Sequence, residues 1–216
     1  FPFARSKISV IPPLLSVDPA TETGVPRVFP KDGKIRLVFL GTLYKTIRDP
    51  GNLLRLFSKL LESDFAERLE LHFYGDMGSC PDCFVPYNNL IWNKIFIHGL
   101  VDRKIAAQAT KDADILVNIG NDTAYQLPSK LVEYLATMKP ILNFAKTDQD
   151  SSTAFFRHYD GIMCIVADEA ISEQTRLRAV ADFIRYPQKI DINARKTLLD
   201  TFRIDQIAKA YSGLQE

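Results

Sequence analysis

Short, almost uninterrupted apolar runs recur along the chain, over residues 35–40, 69–74, 95–97, 115–119, 140–144 and 162–166. Strands with one wet face alternate apolar and polar residues, whereas strands covered on both faces do not, so these runs predict a parallel sheet with helices on each side. Segments of helical spacing lie between them. Residues 50–61 put Leu53, Leu56, Phe57, Leu60 and Leu61 on one stripe, and residues 102–111 precede the strand entry Asp112-Ala113-Asp114. The repeated strand-helix order implies a doubly wound, mostly parallel α/β fold. Residues 77–93 carry Gly78, Pro81, Pro86 and an Asn-Asn pair and read as a long surface connection with one short helical turn. Beyond Asp168 the pattern is helical, over 176–184, 193–199 and 204–211, and the terminal helix is expected to pack outside this lobe. Residues 6–13 read as one more strand, ended by a Pro-Pro turn, and there is no internal repeat.

Composition changes this picture only at its edges. At 216 residues, 46% hydrophobic and 25% charged, the chain suits one large domain or one lobe of a bigger enzyme. A net charge of +1 gives no electrostatic case for a nucleic-acid partner or a polybasic membrane anchor, so any phosphate site must be local. The three cysteines form no disulfide framework and point to a reducing compartment. No signal peptide or bilayer-spanning stretch is visible, and a start at Phe1-Pro2-Phe3 without Met suggests a piece of a longer protein.

The strongest candidate chemistry lies in residues 127–142, which read as a loop, a short helix and a buried strand. Pro128 suits a helix start and Ser129 can cap free amides there, which favours an anion. Glu133 falls about one turn further on, where its carboxylate could meet ribose hydroxyls while the amides hold phosphate. An acid in a first helical turn also simply complements the helix dipole, and that reading stays open. In open parallel sheets ligands lie beyond the carboxyl ends of the strands. The residues there are Gly41-Thr42 with Lys45 and Arg48, then Gly75, then Gly99-Leu100-Val101, then Gly120-Asn121-Asp122. Arg48 can grip a diphosphate through two oxygens with Lys45 as a point charge beside it; as solvated loop cations they would do neither. The glycines permit close approach, although strand-to-helix turns need them too.

Other chemistries are excluded or weak. There is no Gly-x-Gly-x-x-Gly fingerprint and no phosphate-binding Gly-Lys-Ser/Thr loop. Cys80 and Cys83 have metal spacing but lack two further ligands, His72 and His98 being the nearest by sequence, so they read as two loop thiols and no metal is expected. His98 reads as a packing residue, His158 as a helix end, and no nucleophilic triad or carboxylate pair is identifiable, which leaves the catalytic residues unknown.

Taken in order, the segments resemble the carboxy-terminal, nucleotide-sugar-binding domain of GT-B glycosyltransferases of the group 1 (family 4) class. The likeness covers nearly the whole chain. It rests on Ile8-Ser9-Val10-Ile11-Pro12, Leu37-Val38-Phe39-Leu40-Gly41, Leu71-His72-Phe73-Tyr74-Gly75, His98-Gly99-Leu100-Val101 and Ala113-Asp114-Ile115-Leu116-Val117. Above all it rests on Pro128-Ser129-Lys130-Leu131-Val132-Glu133-Tyr134-Leu135-Ala136 with Lys139-Pro140-Ile141-Leu142. The resemblance implies that Glu133 binds the donor ribose and that the backbone of Pro128, Ser129 and Lys130 approaches the diphosphate. It implies a base pocket near Gly75, Gly99, Leu100 and Val101, and diphosphate contacts from Gly41, Thr42, Lys45 and Arg48. Two positions depart from the family pattern: Thr42 stands where an Arg is common, and Tyr125 stands eight residues before Glu133, where a Glu is expected. Asp122 is the nearest upstream carboxylate, so Asp122 and Tyr125 are the sugar-facing candidates.

The same resemblance implies a single Rossmann-like domain over residues 1–216, facing an amino-terminal acceptor domain absent from this chain, without which it should not turn over. The implied reaction is metal-independent transfer, with retention, from a nucleotide sugar that is substrate rather than cofactor. A glycan or lipid-linked acceptor, polysaccharide synthesis in the cytoplasm and peripheral attachment to the inner membrane face through the other domain go with it. Phe1, Phe3, Phe84 and Trp92 are expected on a surface that domain would cover. The competing readings are a non-catalytic nucleotide-binding or assembly module, and an epimerase of the same architecture.

Overall fold

A computed structural model describes residues 14–15, 25–128, 130–157, 159–167, 171–188 and 190–212. The strand expected over residues 6–13, together with Phe1, Phe3, Ser129 and His158, lies outside them. Six strands, β1 (Ile35–Leu40), β2 (Leu69–Tyr74), β3 (Ile95–Gly99), β4 (Ile115–Ile119), β5 (Ile141–Ala145) and β6 (Ile162–Val166), form one sheet in the order β3-β2-β1-β4-β5-β6. Every neighbouring pair is parallel. Each expected apolar run is therefore a strand of a doubly wound, Rossmann-like sheet.

Side chains alternate between faces along each strand, and the core divides accordingly. Leu37, Phe39, Leu71, Phe73, Val117 and Leu142 meet α1 (Gly51–Leu60) through Leu53, Leu54, Phe57 and Leu60, and α6 (Glu173–Arg185) through Val180, Ala181 and Ile184. Val38, Tyr74, Leu116 and Ile141 face the other way. They meet α3 (Arg103–Asp112) at Ala109, α4 (Lys130–Ala136) at Leu131, Val132, Tyr134 and Leu135, α5 (Ser151–Phe156) at Phe156, and α7 (Ile192–Asp200) at Leu199. Each such Val, Leu, Ile or Phe side chain, fully buried, stabilises the fold by about 1.5–3 kcal/mol relative to exposure. The last helix, α8 (Ile204–Ser212), buries Ile207 and leaves Ile204 and Tyr211 exposed. Among the described residues no helix is long and apolar enough to cross a membrane.

Residues 77–93 form the expected surface connection with its short helical turn, and extend it by a second, 3-10 turn. They form α2 (Pro81–Phe84), with Pro81 in the first turn where an amide hydrogen has no helical partner, followed by a 3-10 segment over Val85–Leu90. Phe84 is only 5% exposed and meets Phe73 edge-on at 5.2 Å, so it belongs to the core and not to an uncovered surface. Trp92 is exposed, as expected, at 63%. Cys80 is buried, and that burial pushes its thiol up to about 11. All three cysteines are free thiols. His72 and His98 turn to each other, Nδ1 to Nε2 at 3.0 Å, and His98 stacks on Tyr74 with ring centres 4.2 Å apart.

Candidate functional site

The sheet order reverses direction between β1 and β4, so the helices that follow these strands leave on opposite faces and open a crevice between the two loops. Glycine sets its floor. The Gly41 amide donates to Tyr74 O at 2.9 Å and the Gly75 amide to Gly99 O at 2.8 Å, carrying the ladder past the strand ends. Gly75 has φ +121°, and a Cβ there would lie 2.2 Å from Gly41 O, so the two backbones touch where any side chain would separate them. Gly99 (φ +69°) faces open space, Leu100 beside it is exposed, and Val101 packs partly against the core.

Arg48 crosses the crevice. Its Nε and Nη2 donate to Asn121 Oδ1 at 3.2 and 2.6 Å, and its Nη1 donates to Thr42 O at 3.1 Å. Burial pulls its pKa down, opposed by Tyr134, Tyr44 and Asp150 nearby. Asn121, itself buried, donates in turn to Gln126 O at 3.1 Å. Lys45 does not join this group: its backbone amide donates to Ser79 Oγ, and its ammonium lies 3.5 Å from Asp82 of α2.

On the β4 side, buried Pro128 accepts at its carbonyl from Leu131 N (3.2 Å) as α4 begins. Lys130 Nζ donates to Glu133 Oε2 at 2.7 Å, so one turn of α4 offers a paired ammonium and carboxylate at the crevice. Tyr134, the next residue, is buried and accepts from Leu40 N at 2.9 Å, which docks α4 on the end of β1. Burial holds this phenol protonated far above its ordinary range.

The loop after β4 rests on a buried carboxylate that the sequence pattern did not single out. Asp150, fully buried, caps α5 by accepting from Ser152 N at 2.8 Å, and its other oxygen accepts from Asp122 N at 2.7 Å. Ser151 adds bonds from its amide to Thr123 O and from its hydroxyl to Gln126 O, both 2.8 Å. Asp122 is held at φ +55°, and its carboxylate accepts from Lys146 Nζ at 3.1 Å. Tyr125, at the tip of this loop, is 89% exposed. Asp150 and Lys146 are thus residues around the crevice that sequence reading missed, and Asn121, noted at a strand end, was given no role there. Their partners lie 28, 100 and 73 positions away, and only the fold brings them together. No group of three or more His, Cys, Asp or Glu side chains suited to a metal occurs among the described residues.

No family model matches the chain, and no curated protein matches it by sequence. Solved structures do, and they show the fold: the chain folds like part of several GT-B glycosyltransferases. The apo lipopolysaccharide outer core galactosyltransferase WaaB matches with a TM-score of 0.65 and 15% identity, over 97% of this chain and 55% of its own. TarM matches at 0.59 and 14%, over 89% and 37%. HepE of Anabaena, solved in complex with UDP, matches at 0.59 and 11%, over 84% and 48%. The chain therefore spans about half the length of these structures, or less.

Proposed function

We propose that this chain is the donor-binding half of a two-domain GT-B glycosyltransferase, taking a nucleoside-diphosphate sugar into the crevice between β1 and β4. The observation that carries this reading is Arg48, partly buried and stretched from the loop after β1 to Asn121 after β4, where the sheet order reverses. A guanidinium there meets a diphosphate in a fork geometry that ammonium cannot offer. Glu133, oriented by Lys130, accepts from the ribose hydroxyls, and the backbone of Pro128, Ser129 and Lys130 approaches the phosphates beside Gly41 and Thr42. The base lies over Gly75, Gly99, Leu100 and Val101, and Asp122 and Tyr125 face the sugar. Lys45, paired with Asp82, has the weakest claim to the diphosphate.

In this reading the amino-terminal domain holds a glycan or lipid-linked acceptor and brings the protein to the inner membrane face, and this chain alone does not turn over. No nucleic acid, cofactor or metal takes part. Cationic side chains and backbone amides stabilise the leaving diphosphate, and transfer proceeds with retention. The three free thiols suit a reducing cytoplasm.

Calorimetric titration with UDP, GDP and ADP is the test. One nucleotide binds in the micromolar to millimolar range, and Glu133→Ala weakens it about tenfold or more, the loss of a charged hydrogen bond. Failure of all three to bind, or equal binding by the variant, sinks the proposal. Thr42 and solvent-exposed Tyr125, at positions where the family favours Arg and Glu, support a second reading, a binding module without transfer. Nucleotide binding by the full-length protein with no transfer from any donor would establish it.

A further inference from the structure

Lys146 is the first residue after β5, two strands away from the loop that carries Arg48, yet it reaches that loop. Its Nζ donates to Thr46 O at 2.8 Å and to Asp122 Oδ2 at 3.1 Å. Thr46 lies two residues before Arg48, and Asp122 follows Asn121, so both cations bridge the same pair of loops. Asp122 does not meet Lys146 by accident of a floppy surface. It holds a left-handed backbone conformation that few non-glycine residues adopt, and the buried Asp150 carboxylate fixes it there through the Asp122 amide. The ammonium and carboxylate are themselves partly exposed, 41% and 31%, so solvent screens the pair and its hold is weak.

We propose that Lys146 is a further diphosphate-binding cation of the crevice and that Asp122 is its stand-in anion, the carboxylate that neutralises the ammonium until a nucleoside diphosphate replaces it. The inference rests on the donor-site reading above and adds to it a cation from a third strand. A phosphate group carries more charge and more acceptor oxygens than a carboxylate, so it displaces Asp122 from an exposed pair at little cost. Arg48 keeps its neutral partner Asn121, whereas Lys146 exchanges one anion for another.

The test compares the parent with Lys146→Met, Lys146→Arg and Asp122→Asn, using UDP, GDP and ADP and the corresponding monophosphates. Lys146→Met weakens the preferred diphosphate about tenfold and the monophosphate much less, and it makes diphosphate binding less sensitive to salt. Lys146→Arg restores most of the affinity, and Asp122→Asn tightens diphosphate binding about threefold, because the competing charge is gone. Equal losses for diphosphate and monophosphate in Lys146→Met would mean that Lys146 only braces the loops, and unchanged diphosphate binding would remove it from the site. Either result overturns this inference and leaves the donor site standing. A weaker Asp122→Asn variant overturns the stand-in role. A parent that binds no nucleotide overturns the donor-site reading, and this inference with it.

Discussion

A Cβ on Gly120 would lie 2.5 Å from Asp150 Oδ2, inside any tolerable contact, and the atom it would strike is one the loop cannot spare. That oxygen accepts from Asp122 N, and its twin caps α5. Gly120→Ala must therefore push a fully buried carboxylate off its donors. We expect it to lower the unfolding free energy by about 1–3 kcal/mol in urea titrations, the usual cost of forcing atoms into a packed interior. An unchanged midpoint would show that Asp150 moves freely. The same residue marks the limit of sequence reading. Arg48 could be named as a candidate because it stands in a loop between a strand and a helix, although Lys45 in the same loop pairs with Asp82 instead, so position alone did not separate the two. Asp150 and Lys146 could not be named, because an acid before a serine pair and a lysine after a strand look like ordinary surface residues until β4 and β5 are laid side by side.

Elements were legible where hydrophobicity alone decides. The six strands are runs that only a sheet covered on both faces can bury, and α1 shows its stripe openly. Residues 77–93 read correctly as a surface connection with a short helical turn, but Gly78, Pro81 and Pro86 suggest only punctuation and so hid the added 3-10 turn and the inward packing of Phe84. Phe84 anchors this segment against Phe73. Phe84→Ala should cost about 3–5 kcal/mol, the range for a buried aromatic, where a surface residue would cost almost nothing. Thermal or urea unfolding decides between the two. Gly78 shows how closely the segment is seated, since a Cβ there would lie 2.0 Å from Leu43 O in the loop that carries Arg48. The architecture of the site is thus held from two sides, by α2 under the loop after β1 and by α5 under the loop after β4.

At the scale of the whole molecule, His72 ties stability to pH. It is buried between β1 and β3, and burial, then the neighbouring His98, then Arg36, depress its pKa to about 3. Glu70, which would favour a proton on it, is already engaged by Arg36 at 3.0 Å. The folded protein therefore refuses a proton that the unfolded chain accepts near pH 6.5. The stability this confers is complete above that value and drains away toward pH 3, with a slope of up to about 1.4 kcal/mol per pH unit. Urea midpoints measured from pH 7 down to 4 should fall less steeply in His72→Gln than in the parent, and identical slopes would assign the acid sensitivity elsewhere.

The order of the strands has a consequence for how this crevice comes into being. Leu37 of β1 pairs with Leu71 of β2, 34 positions on, but on its other side with Ile115 of β4, 78 positions on. Closing the longer loop costs more chain entropy, by roughly 0.7 kcal/mol on the logarithmic law for flexible loops, and nothing local rewards it until the two halves of the sheet meet. The crevice proposed for the donor lies along that seam. A molecule bound there bridges the two halves, and its binding free energy adds directly to the cohesion of the pair that is hardest to bring together.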